Sequence, residues 1–205
     1  MKTGVLILLL VVATLVIGYV IFSKSAYPLT PEDAQKFFLE DLKEKYPNAD
    51  VREVTEIFNV TAQDGSTYYQ LKARVTTGME SPCPERLHVY YDYPPKNFVA
   101  QPPEYITSGC QICLNEPVCV IAFPEEAIIA SHTYNGTQEV SNFILRNADA
   151  TASAEFADNF APYGAVWKVV WQSPSANDFY TVLVSKTGNK MLQISHGADI
   201  LPAPE

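Results

Sequence analysis

The chain has 205 residues, of which 47% are hydrophobic and 18% are charged, so its composition allows a packed core and excludes a wholly disordered polypeptide. The formal charge of the chain is −9, from 14 Lys and Arg residues and 23 Asp and Glu residues. Two of the cations, Lys2 and Lys24, precede residue 25 and no acid does, so residues 25–205 carry 12 cations and 23 carboxylates, a charge of −11. Because phosphates and anionic headgroups attract basic surfaces, this acidity argues against a nucleic-acid partner and against docking on anionic lipid.

An uncharged apolar run occupies residues 4–22. At 1.5 Å per residue, the 18 residues from Val5 to Phe22 make a helix of roughly 27 Å, close to the thickness of a bilayer core. The sequence therefore predicts an uncleaved transmembrane signal-anchor over residues 1–25, with the rest of the chain outside the cytoplasm. A signal peptide cleaved before Ala26 and a pilin-like segment after Gly4 are the alternatives.

A single helix is predicted to open the exported part of the chain. Thr30 can cap the helix, and Pro31 suits its first position. Its apolar side chains recur every four residues and define one buried face: Ala34, Phe38, Leu42 and Tyr46. The helix is expected to end at Pro47.

Three strands are predicted next, over residues 51–60, 67–77 and 86–93, from the alternation of apolar and polar residues. In the first of them, Val54 and Phe58 are expected to share one face. The strands follow one another through short turns, so they are expected to form an antiparallel sheet beside the helix.

The exported part of the chain contains four cysteines: Cys83, Cys110, Cys113 and Cys119. An even number of cysteines in an exported chain predicts two disulfides, and the sequence leaves all three pairings open. The disulfides would constrain a connection over residues 96–122, which is rich in proline and predicted to contain little secondary structure.

Two other interpretations of the cysteines remain open. Cys-x-x-Cys at Cys110 and Cys113 is half of a four-cysteine zinc site, and His88 or His132 could join it. The same pair could also be a thioredoxin-like redox centre.

The last part of the chain, residues 123–205, is predicted to begin with helices and end with strands. Its predicted elements are a buried strand over 118–123, helices over 124–131, 139–147 and 152–160, and strands over 165–172, 178–185 and 190–195. Trp167 and Trp171 share one strand face and are expected in the core. The sequence thus predicts an α+β fold: a transmembrane helix followed by two units of helix plus antiparallel sheet.

The final strands, WKVVW at 167–171, FYTVLV at 179–184 and GNKML at 188–192, resemble a PepSY module. Residues 32–93 are similar to that module or to the broader cystatin-like arrangement of one helix wrapped by a sheet. The cysteine-rich connection and the central helices depart from the PepSY pattern. The resemblance implies an extracytoplasmic binding or inhibitory domain without catalytic residues.

Few residues are candidates for a functional site. The sequence contains no His-Glu-x-x-His, Gly-x-Ser-x-Gly or phosphate-binding glycine loop, so we expect no catalytic residue, cofactor or metal. Tyr68 and Tyr90 could form an exposed aromatic patch for a protein or glycan, with cross-strand packing as the alternative. Asn59 and Asn135 each begin an N-glycosylation acceptor pattern.

Together these features predict a membrane-anchored extracytoplasmic binding or assembly module without catalytic activity. Its expected contacts are the lipid bilayer, through residues 4–22, and another extracytoplasmic protein or a surface polymer. The alternatives are an exported zinc- or thiol-dependent activity at the cysteines and a pilin-like surface subunit. The chain is predicted to divide into the transmembrane anchor (1–25), a first α+β unit (26–95), the Pro/Cys-rich connection (96–122) and a second α+β unit (123–205).

Overall fold

A computed structural model describes residues 30–93, 99–114, 116, 119–187, 190–199 and 201–202. The helices in this part of the chain are α1 (Pro31–Lys45), α2 (Pro124–Thr133) and α3 (Gln138–Arg146). The longer strands are β1 (Val51–Thr61), β2 (Thr67–Thr77), β3 (Glu85–Tyr93), β8 (Thr151–Phe160), β9 (Gly164–Ser173), β10 (Asp178–Ser185) and β11 (Met191–His196). Between them lie four two-residue strands, β4 (Val99–Ala100), β5 (Glu104–Tyr105), β6 (Thr107–Ser108) and β7 (Gln111–Ile112).

The strands form two larger antiparallel sheets. The first has the order β1-β2-β3-β4, with β5 also paired to β3. The second has the order β11-β10-β9-β8, and β6 and β7 form a separate pair. Neighbouring strands in both large sheets follow one another in sequence, as expected when short turns connect antiparallel strands.

The first core lies between α1 and one face of the first sheet. The predicted cap is confirmed, because the Asp33 amide donates to Thr30 Oγ1 at 3.1 Å. Helix residues Ala34, Phe38 and Leu42 are buried, and the alternate residues of β2 and β3 meet them: Leu71, Ala73, Val75, Leu87, Val89 and Tyr91. The opposite face of this sheet is therefore free to carry polar side chains.

The second core lies between the second sheet and α2 and α3. Trp167 and Trp171 are both buried there, as predicted. The Trp167 indole donates to the Ile121 carbonyl and the Trp171 indole to Ser131 Oγ, each at 2.8 Å. Each buried indole N–H thus has the partner that its burial requires.

A β-bulge changes the predicted face of one β1 residue. The register with β2 shifts between Val54 and Glu56, and the Thr55 hydroxyl donates to the Lys72 carbonyl at the shift. The extra residue turns Val54 toward the helix, while Phe58 lies on the other face. The expectation that Val54 and Phe58 share a face was wrong, because strict alternation does not allow for a bulge.

The predicted fold class, α+β with a transmembrane helix and two helix-plus-sheet units, is wrong. The described part of the chain is mostly antiparallel sheet, with 46% of its residues in strands and 21% in helices. Residues 152–160, predicted as a helix, belong to β8. Their alanines favour a helix in isolation, but pairing with β9 and contact between Phe156 and Trp167, 5.1 Å between ring centroids, override that preference.

Two further predictions need correction. Residues 119–123, the described part of the buried strand expected over 118–123, do not form a strand: Val120 makes an isolated bridge to Thr187 and is 50% exposed. In the part of the chain that is described, no helix is long and apolar enough to cross a membrane. The predicted transmembrane segment, residues 4–22, and the pilin-like alternative lie outside the described residues.

The four cysteines form two disulfides, as predicted. Cys83 pairs with Cys110, and Cys113 pairs with Cys119. The first bond joins the loop after β2 to the turn between β6 and β7. Such bonds persist in oxidising compartments, so they indicate an extracytoplasmic environment.

The two disulfides should contribute unequally to stability. Cys83–Cys110 spans 27 residues and Cys113–Cys119 spans 6, so loop entropy assigns them about 3.5 and about 2 kcal/mol. We expect the Cys83→Ser, Cys110→Ser double variant to lose more free energy of unfolding in urea than the Cys113→Ser, Cys119→Ser variant. An equal loss, or a larger loss for the shorter loop, contradicts this account.

Candidate binding face

The side of the first sheet that points away from α1, here called the outer face, carries many charged and hydrogen-bonding side chains. It holds the even-numbered residues of β2 and β3, together with Glu53, Glu56 and Phe58 from β1 and Glu104 from β5. One end of the outer face is covered by the start of α2 and the other end is open. The two ends therefore have different chemistry.

The covered end contains a buried ion cluster. Arg74 Nε lies 3.0 Å from Glu125 Oε1, and both side chains are less than 10% exposed. Arg86, only 1% exposed, pairs with Glu126 and lies 3.9 Å from Glu125. Removing one member of such a cluster leaves an uncompensated buried charge, so the cluster fixes α2 against the first sheet.

The start of α2 is shaped to meet these arginines. Glu126 Oε2 accepts hydrogen bonds from the amides of Ala122 and Phe123, at 2.6 and 3.0 Å, and so caps its own helix. The Phe123 ring lies 3.6 Å from the Arg74 guanidinium carbon, a cation–π contact. The positive end of the helix dipole also favours carboxylates in this first turn.

Beyond the buried cluster, the outer face continues as a partly exposed polar network. Tyr90 donates to Glu104 Oε2 at 2.7 Å, which lowers the pKa of that carboxyl. Burial and this carboxylate raise the pKa of Tyr90 to about 12. Burial, followed by the charge of Lys72, lowers the pKa of His88, so this side chain stays neutral at pH 7.

The open end of the outer face is aromatic. Phe58 is 48% exposed, and Tyr68 is partly exposed next to Val60, its cross-strand partner. Gln70, the cross-strand partner of Phe58, donates to Asp92 at 3.1 Å. An exposed ring beside hydrogen-bonding groups is a surface that proteins and glycans can both contact.

The sequence-predicted site residues fall into different places. Tyr68 and Tyr90 share the outer face but lie in different rows, with the Gln70–Asp92 pair between them. Asn59 is exposed on β1, and Asn135 is exposed in the turn before α3. The Thr137 hydroxyl of the second acceptor pattern is buried and donates to the Tyr134 carbonyl.

The cysteines do not meet the histidines that were considered as zinc ligands. All four sulfurs are paired, His88 contacts Glu104, and His132 contacts the Met79 carbonyl. Within the described ranges, no group of three or more His, Cys, Asp or Glu side chains is arranged to hold a metal ion. Among the interpretations of the cysteines, the geometry favours disulfides.

The roles of the charged residues of the outer face were not predicted from the sequence. Lys72, Arg74 and Arg86 looked like ordinary wet-face cations of an alternating strand, and Glu125 looked like a helix-start acid. The burial of Arg74 and Arg86 depends on contacts between segments about 40–50 residues apart. The available signal was the row of charged residues at even positions of two neighbouring strands.

The second sheet carries a separate Asp–His pair. His196 Nε2 lies 2.8 Å from Asp178 Oδ1, and its ring stacks on Tyr180 with 4.4 Å between ring centroids. Ser195 falls on the opposite face of β11, because successive strand residues alternate. The pair is thus not joined to its neighbouring serine as a catalytic set.

Comparison with known proteins gives no match: no family model, no curated protein and no solved structure is significantly similar to the chain. The resemblance to PepSY and cystatin-like modules therefore stays a prediction.

Loss of the Glu125 carboxylate should destabilise the protein far more than loss of Glu53, although both contact Arg74. Glu125 is 6% exposed and Glu53 is 55% exposed, so water can take the place of the Glu53 carboxylate beside Arg74 but not of the Glu125 carboxylate. We expect Glu125→Gln to lower the free energy of unfolding by about 3 kcal/mol, and Glu53→Gln by no more than about 1 kcal/mol. Urea unfolding at pH 7 measures both, and equal effects would contradict the role of burial.

The stability of the protein should fall as pH drops from about 6.5 to 4. Burial lowers the pKa of His132 from 6.5 to about 4, so the unfolded chain binds a proton in this range and the folded chain does not. Above pH 6.5 the neutral His132 side chain contributes fully to the free energy of unfolding. By pH 4, about 3 kcal/mol of that free energy is lost. The His132→Gln variant should lack this part of the pH dependence, whereas exposed His196→Gln should retain it.

Proposed function

We propose that the chain is an extracytoplasmic binding module whose contact surface is the open end of the outer face. The observation that supports this most directly is the exposure of Phe58 beside Tyr68 and the Glu56–Lys72 pair. Burying such a ring gains free energy from contact with a partner, and the neighbouring polar groups select that partner.

The rest of the structure supports a binding role for this surface. The buried ion cluster and the first core hold β1, β2 and β3 in place, so the exposed side chains are presented on a rigid support. A preorganised surface loses less conformational entropy on binding. The Pro/Cys-rich connection is constrained by two disulfides.

The location we propose is the outer side of a cell membrane. The disulfides support an oxidising compartment. Attachment to a lipid bilayer through residues 4–22 is supported by their uncharged apolar sequence alone. The partner is another extracytoplasmic protein or a surface polymer within reach of the attached chain.

Photocrosslinking from the outer face tests this function in cells that produce the protein. With Phe58 replaced by p-benzoyl-phenylalanine, we expect a discrete crosslinked species on illumination, because the ring contacts the partner. Phe37 provides a matched control: it is 44% exposed but lies on α1, on the opposite side of the first sheet.

Equal crosslinking from positions 58 and 37 would indicate random contact, and no discrete species from position 58 would count against the outer face as the binding surface. Digestion of the crosslinked species with protease or glycosidase then distinguishes a protein partner from a polymer.

A further inference from the structure

β1 presents a free edge within the described part of the first sheet. It pairs with β2 on one side, and no described strand pairs with its other side. In an edge strand, alternate backbone N–H and C=O groups point outward and can pair with another extended chain. β1 has 11 residues, long enough for such pairing.

The bulge limits the usable edge to one stretch. From Glu56 to Thr61 the register with β2 is unbroken, whereas it shifts between Val54 and Glu56. Six residues are a typical strand length, so this stretch can accept a whole strand. Natural edge strands are often protected by bulges, and here the bulge lies at one side of the regular stretch rather than inside it.

The side chains of this stretch define what a partner strand would meet. Glu56, Phe58 and Val60 lie on the outer face, since they oppose Lys72, Gln70 and Tyr68 of β2. Glu56 is 45% exposed and Phe58 is 48% exposed, so both remain available to a neighbour. Cross-strand neighbours on one face contact each other directly, so an added strand would place its own side chains against these.

Charge distinguishes between possible occupants. The outer face and the helix start that covers it hold six carboxylates and three Lys or Arg cations: Glu53, Glu56, Asp92, Glu104, Glu125 and Glu126 against Lys72, Arg74 and Arg86. A second copy would bring another chain of charge −9 to this acidic edge. Two copies with the same large negative charge repel each other, so a cationic chain is favoured over a second copy.

We propose that an extended segment of a cationic protein adds as a further strand along Glu56–Thr61. A lysine or arginine lies opposite Glu56, and an apolar side chain lies opposite Phe58. Backbone hydrogen bonds supply affinity and the alternate side chains supply specificity, as in other complexes formed by strand addition. This inference rests on the proposed binding function and names the class of partner.

Hydrogen exchange with a defined peptide tests the proposal on the full chain in mild detergent. The probe is a seven-residue peptide whose lysine and phenylalanine stand two residues apart, with threonine between them, so that both side chains lie on the face that meets Glu56 and Phe58. We expect it to slow exchange of the outward-pointing amides of residues 56–61, while exchange in β8 and β11, the edges of the second sheet, is unchanged. N-methylation of alternate peptide residues should abolish this protection, because it removes the backbone donors while keeping the side chains.

Charge reversal provides a second measurement. Glu56→Lys should weaken binding of the lysine peptide about tenfold and strengthen binding of a glutamate version of it. Glu139→Lys makes the same change in net charge at an exposed position on α3 and should leave both affinities unaltered. Phe58→Ala should weaken binding, and Phe37→Ala should not.

Several outcomes would overturn strand addition: no binding of the lysine peptide, equal binding of the N-methylated peptide, or protection of residues 56–61 that depends on protein concentration without peptide. The last would identify a second copy as the occupant. Crosslinking from position 58 to a glycan would contradict a protein partner and leave the proposed binding function intact. Failure of that crosslinking would contradict the proposed binding function itself.

Discussion

The ion cluster of Arg74, Arg86, Glu125 and Glu126 is the interaction on which the rest of the structure depends. Its arginines belong to the first sheet and its carboxylates to the helix that covers the second sheet, so it joins the two cores. Buried guanidinium groups need carboxylate partners, because the free-energy cost of desolvating them would otherwise be too high. The cluster therefore determines where α2 can lie on the outer face.

Other contacts at the same junction are consistent with that arrangement. The loop after β2 reaches the second core: the Met79 carbonyl accepts from His132 Nε2, and Glu80 accepts from the Ala152 amide at 2.9 Å. The Cys83–Cys110 bond then holds the end of this loop. As a result, one end of the outer face is closed by charge pairing, and the other end, with Phe58, stays exposed.

Local patterns predicted most elements well. The Thr30 cap, the apolar repeat of α1 and the strands β2 and β10 are indicated by near neighbours in sequence, and the structure confirms them. Residues 152–160 were predicted incorrectly because alanine favours helix locally, and only pairing with β9 makes them a strand. The face of Val54 was predicted incorrectly because a bulge depends on the register with a neighbour.

By itself, the sequence determined the secondary structure of strongly periodic segments, the acidic charge and the even number of cysteines, because these are properties of composition and of residues close along the chain. Only the tertiary structure decided which cysteines pair, that Arg74 and Arg86 are buried, and that Phe58 is left exposed beside a free strand edge. Those properties arise from contacts between distant segments, and burial changes the free energy of a charge or a ring far more than local propensity does.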